Sequence, residues 1–140
     1  MRKINYIVLH CTAGPQTQTV ENILDYWKRK LGWSHVGYHH LIRPDGSVAD
    51  LQPIELPTNG VAGYNYKSIH ISYIGGVDLD NTPLDNRTEE QKQAQIVLLK
   101  KYHAMFPDAV IQGHRDFPNV KKACPSFDVK QWLNEIEFYK

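Results

Sequence analysis

The chain has 140 residues, a length that suits one domain built around one substantial core. At 41% hydrophobic and 22% charged residues, its composition is that of a folded globular protein and excludes a disordered one. A formal charge of +1 gives no basis for a nucleic-acid or anionic-membrane partner. Apolar runs such as YIVL at 6–9 fall far short of the roughly 20 residues that a membrane helix needs. The basic start, MRKINYIVLH, has too short an apolar run for the roughly 7–15 residues of an export signal, so synthesis in the cytoplasm without a signal peptide is expected. In that reducing compartment the two cysteines, Cys11 and Cys124, are expected as thiols, available to a metal rather than joined in a disulfide.

In chain order, residues 4–10, INYIVLH, are rich in β-branched and aromatic side chains and read as a buried strand. Val20, Ile23, Leu24, Trp27 and Leu31 recur at helical spacing, and Gly32 is placed to end that helix in a left-handed cap. YHHLIRPDGSVADL reads as two strands joined by a Pro-Asp-Gly turn, in which glycine supplies the positive φ. SIHISYIGG is a further strand closed by a glycine pair. Thr88 and Gln91 form a capping box ahead of a long helix with Ala94, Val97, Leu98, Tyr102 and Met105 as its apolar face. AVIQGH is a last short strand, and Asp128 caps a closing helix around Trp132, Leu133 and Ile136. Strands interspersed with helices give an α/β fold: one domain over 1–140, a central mixed β-sheet flanked by helices.

His10 closes the first strand and His114 the last. If those strands are parallel neighbours, both side chains emerge at the sheet edge where open α/β sheets place ligands. Cys124 follows on a loop stiffened by Pro125, with Lys121 and Lys122 beside it to favour the thiolate. Two imidazoles and a thiolate would suit a Zn²⁺ ion that keeps one coordination position open. The spacing matches no short zinc motif, and His10 as a core histidine or Cys124 as a small apolar residue fits the pattern as well. Cys11 points to the opposite face of the strand from His10 and is assigned to the core. Among the other histidines, His35, His39, His40 and His70 compete as ligands, and His103 is expected to be solvated.

The blocks IVLHCTAG, WKRKLGWSHVGYHHLIRPDGSV, GYNYKSIHISYIGGVD and KKACPSFD, in that order, resemble the zinc-dependent N-acetylmuramoyl-L-alanine amidases of the type 2 class, and most closely the small lysozyme amidases of T-odd coliphages. These share their fold with the peptidoglycan recognition proteins. The resemblance covers nearly the whole chain. It implies one Zn²⁺ per chain on His10, His114 and Cys124, an active-site tyrosine at Tyr38 and an active-site lysine at Lys122, with Lys121 a solvated neighbour. The implied reaction is hydrolysis of the amide between N-acetylmuramic acid and L-alanine in peptidoglycan. Zinc would activate a water, and Lys122 or the Tyr38 phenol would stabilise charge on the carbonyl oxygen or relay a proton.

Two features depart from the family. The loop from His114 to Cys124 is slightly longer than in the phage members, and position 70 is histidine where glycine is usual. Intrusion on the site, contact with substrate and filling of a sheet position are the three readings of His70, of which the last is taken. Tyr64 and Asn65, in the glycine- and asparagine-rich stretch NGVAGYNYKSIH, are candidate substrate contacts, although turn chemistry explains them nearly as well. The phage members also inhibit an RNA polymerase through their N-terminal region, and with little sequence ahead of the first strand that second function is not expected. The expected partner is peptidoglycan or a muropeptide, and the expected state is a monomer that reaches the cell wall after phage-type release. A binding module on the same fold, a Cys124–His114 nucleophilic hydrolase, and a structural zinc completed by His39 or His40 are the competing readings.

Overall fold

The computed structural model describes residues 1–140. Five strands form one mixed sheet in the order β3-β2-β4-β1-β5. β1 (Tyr6–Cys11) lies at its heart, parallel to β4 (Ser68–Tyr73) on one side and to β5 (Val110–Gly113) on the other. β2 (His40–Ile42) is parallel to β4 and antiparallel to β3 (Val48–Asp50), the expected hairpin, with Gly46 at φ +87° in its turn. The first strand starts at Tyr6 rather than Ile4 and runs through Cys11, although Ile4 still joins the core.

Period-two alternation divides the sheet's faces. Ile7, Leu9 and Cys11 of β1 and Ile69, Ile71 and Tyr73 of β4 enter the main core with Leu98, Leu99 and Tyr102 of α2 (Glu89–Met105) and Trp132 and Leu133 of α3 (Val129–Glu135). Leu41 and Ile74 pack instead with Val20, Ile23 and Trp27 from α1 (Val20–Asp25) and the π-helical turn after it, Tyr26–Lys30, which ends before Gly32 at φ +66°. The cap of α3 is as expected, since Asp128 accepts from the Gln131 backbone N–H.

The apolar face assigned to α2 needs correction. Val97 and Met105 are 66% and 50% exposed, and the buried stripe is Gln91, Gln95, Leu98, Leu99 and Tyr102. The glutamines belong inside because they satisfy polar groups there. The Gln91 amide donates to the carbonyls of Ile42, which ends β2, and Ile74, which follows β4, and the Gln95 carbonyl oxygen accepts from Arg87.

Candidate metal centre and active site

The site lies at the edge where β1 and β5 end. β1 carries His10 on the face turned away from α2 and α3, with the side chain 1% exposed. β5 ends at Gly113, and His114 opens a single 3₁₀ turn, His114–Asp116. The Asp116 carboxylate accepts from the Gly113 N–H and fixes that turn, while the Arg115 N–H donates to the Cys124 carbonyl at 2.9 Å. The second bond brings the intervening loop back so that Cys124 stands beside the strand ends. The donor atoms of His10, His114 and Cys124 all lie within 4.8 Å of one another. The parallel pairing of β1 with β5, read from sequence only as a condition, brings these residues together.

Hydrogen bonds aim the donors. The Cys11 N–H donates to Cys124 Sγ at 3.2 Å, a contact that favours a thiolate, and that sulfur lies 3.9 Å from His10 Nδ1. The other nitrogen of His10, Nε2, is engaged by His70 Nδ1 at 2.8 Å. Burial, reinforced by His70, His114 and Lys122, holds His10 well below the usual imidazole range. Burial and then Lys122 lower His114 to about 4. Both rings are therefore neutral at pH 7 and present lone pairs. Without a metal, the neighbouring Cys11 thiol and burial push the Cys124 thiol up.

A set of two imidazoles and one sulfur, with no carboxylate among the donors, suits zinc better than oxygen-seeking ions. His39 and His40 do not extend it. His39 Nδ1 accepts from the His70 N–H, with Nε2 beside the Leu56 carbonyl, and His40 sits between Asp50 and Tyr102. Three protein donors leave a position open, the pattern of a catalytic rather than a structural ion. The two cysteines are free thiols, and Cys11 lies in the core as expected.

Tyr38 and Lys122 line the same small cavity as His10, His114 and Cys124. The Tyr38 hydroxyl donates to the Cys11 carbonyl at 3.3 Å, and its ring lies between His10 and Trp27, with centroids 5.0 and 5.2 Å away. Burial and the nearby thiols raise its pKa, so the phenol stays a neutral donor. Lys122 is exposed and also lines a groove of about 710 Å³ that runs outward past Trp33, Asn59, Tyr64, Asn119 and Lys121. No Asp or Glu lines the cavity or the groove. Tyr64 and Asn65 both border the groove. The Tyr64 ring packs on Tyr6 and Phe117, while Asn65 Oδ1 turns inward to the N–H groups of Gly60 and Val61 and to His70.

His70 is more than a sheet filler, since it touches His10 directly. A signal for this was present: Ser68, His70 and Ser72 alternate with Ile69, Ile71 and Tyr73, so one face of a buried strand is polar. His103 is not simply solvated. It is half-buried against Phe138 and Tyr139.

Residues 1–127 match the family model described as N-acetylmuramoyl-L-alanine amidase. The endolysin of Klebsiella phage KP32 is 35% identical over 137 residues, covering 97% of this chain and 89% of its own. The peptidoglycan-recognition protein SC2 of Drosophila melanogaster is 31% identical over 152 residues, covering 94% of this chain and 75% of its own. Among solved structures, the Ph2119 endolysin from the Thermus scotoductus MAT2119 bacteriophage superposes with a TM-score of 0.81 at 30% identity, covering 96% of this chain and 85% of that one.

Proposed function

The chain belongs to the N-acetylmuramoyl-L-alanine amidase family, and from that premise we propose that it is a zinc-dependent amidase that cuts the bond between N-acetylmuramic acid and L-alanine in peptidoglycan. The observation that carries this is the convergence of His10, His114 and Cys124 at the ends of two parallel strands, beside an open groove. A bound Zn²⁺ would act as a Lewis acid and lower the pKa of a coordinated water to about 7. The remaining work falls to the chain's own side chains.

The groove, lined by Tyr64, Asn65, Asn119, Lys121 and Lys122 among others, holds the glycan and stem peptide beside the cavity. Lys122 places a positive charge over the cavity, where the carbonyl oxygen gains negative charge during attack. A fixed donor of that kind contributes about 2.7–4 kcal/mol. The Tyr38 phenol, held neutral by burial, donates a hydrogen bond rather than serving as a base. Since no carboxylate lines the cavity, Lys122 is the group through which a proton passes to the leaving nitrogen.

Two competing readings are weaker. A Cys124 nucleophile needs a thiolate in the metal-free site, and there the thiol is pushed up rather than down. A non-catalytic binding module is favoured by the similarity to a recognition protein, yet each of the three ligand positions carries a competent donor. The similarity to phage endolysins supports action on the cell wall after release from the producing cell. Mass spectrometry of the soluble fraction from digested peptidoglycan tests the reaction. An amidase releases stem peptides with a free L-alanine amino terminus. New reducing sugar ends, or binding with no soluble product, contradict it.

A further inference from the structure

Metal binding requires that His10 Nδ1, the nitrogen facing Cys124, carry no proton. Neutral imidazole has two tautomers, and the one present is set by what the other nitrogen meets. The neighbours of His10 settle this through a chain of bonds that starts at Asn65.

The Asn65 side-chain oxygen accepts from two backbone donors, the Gly60 N–H at 2.9 Å and the Val61 N–H at 2.7 Å. A flipped amide would set its NH₂ against both, so the oxygen's place is fixed. That same oxygen lies 2.9 Å from His70 Nε2, which must therefore be the protonated nitrogen of His70. His70 is fully buried, and no carboxylate bonds to it, so its other nitrogen is bare. At 2.8 Å, bare His70 Nδ1 accepts, so His10 Nε2 must donate. His10 Nδ1 is left as a lone pair directed at the metal position, 3.9 Å from Cys124 Sγ.

Gly60 makes the arrangement possible. A Cβ at position 60 would lie 2.3 Å from His70 Nδ1, and the three atoms nearest to it all belong to the His70 ring. The backbone there has no positive φ, so the histidine ring is the nearest obstacle to a side chain.

We propose that His70, oriented by Asn65 and given room by Gly60, is a positioning residue that holds His10 in the tautomer able to bind the metal. The proposal rests on the metal-centre reading above for its purpose, but the tautomer itself is independent of it. Long-range ¹H–¹⁵N correlation spectra of the metal-free, ¹⁵N-labelled protein read it directly. Both His10 and His70 are expected to carry their proton on Nε2. A proton on His10 Nδ1 in the wild-type protein overturns the proposal, whatever any variant does.

Zinc affinity, measured by competition with a chromophoric chelator, gives the second readout. His70→Phe removes the acceptor and is expected to mix the His10 tautomers and weaken zinc binding by roughly 10–100-fold, the cost typical of losing a partner behind a metal ligand. His70→Gln keeps an oxygen for His10 and an amide donor for Asn65 and is expected to restore both readouts. Gly60→Ala reproduces the loss without replacing either histidine, and in a His70→Ala background it costs nothing further. Unchanged tautomer and affinity in both His70→Phe and Gly60→Ala overturn the proposal. A wild-type protein with the assigned tautomers that takes up no zinc upholds the tautomer lock and overturns the metal centre instead.

Discussion

Gln91 offers a test of the buried polar frame on which the site stands. It is the third residue of α2, and its oxygen accepts from the Thr88 N–H, which completes a capping box. A surface capping box accepts glutamate as readily as glutamine. Here, however, the side chain is fully buried, and its NH₂ donates to the Ile42 carbonyl at 3.2 Å and the Ile74 carbonyl at 3.0 Å. Gln91→Glu keeps the cap but leaves the Ile74 carbonyl without its donor and the Ile42 carbonyl with only the Ile74 N–H, and it faces both with a carboxylate. At about 1–3 kcal/mol for a buried group left unsatisfied, loss of the donor to the Ile74 carbonyl is expected to cost about 1–3 kcal/mol. That is a large share of the roughly 5–15 kcal/mol that stabilises a typical domain. Urea denaturation at pH 7, followed by far-ultraviolet circular dichroism, measures it. A change within about 0.5 kcal/mol of wild type would show that Gln91 acts only as a cap and refute the reasoning.

Three further outcomes are expected. Lys122→Met should lower kcat by about 10²–10³ with little change in KM, while Lys121→Met, which alters only the outer groove, should stay within a few-fold; steady-state kinetics on a muropeptide separates them. The metal-free protein should lose stability as pH falls from about 6.5 toward 4. Burial lowers His39 and His114 to about 4 and holds His10, His40 and His70 below 6.5, so within that window the unfolded chain binds more protons than the folded one. Stability is then full above about 6.5, and guanidinium midpoints between pH 7.5 and 4.5 that do not move would contradict this. Leu99→Ala in the main core should cost about 2–5 kcal/mol by the same denaturation assay, because Leu99 is fully buried between α2 and the sheet.

Much of this architecture could be read from local chemistry. The Pro-Asp-Gly turn, the Thr88 and Asp128 caps and the positive-φ end at Gly32 are short-range signals, and each appears where its residues stand. His10 and His114 were also legible, because their place at strand ends follows from the strands themselves. Legibility failed where long-range satisfaction outweighs polarity. Gln91 and Gln95 look like a solvent face, yet they point inward to strand carbonyls and to Arg87, whose guanidinium lies 3.5 Å from the Phe127 ring centroid. His70 was missed for the same reason. Its partner Asn65 lies five residues away but its partner His10 lies sixty away, and the β1–β4 pairing brings His10 within reach. The role of Gly60 depends on the His70 ring occupying the place of a Cβ, which no local pattern encodes.

The most direct measurement is zinc content by plasma mass spectrometry, taken alongside release of L-alanine-terminated peptides from peptidoglycan before chelation, after it, and after zinc is returned. A zinc amidase built on His10, His114 and Cys124 is expected to carry about one zinc per chain, to lose activity with the metal and to regain it on reconstitution. His114→Ala is expected to carry little zinc and to release no peptide. Undiminished release from metal-free protein would contradict the proposed reaction and point to Cys124 as a nucleophile.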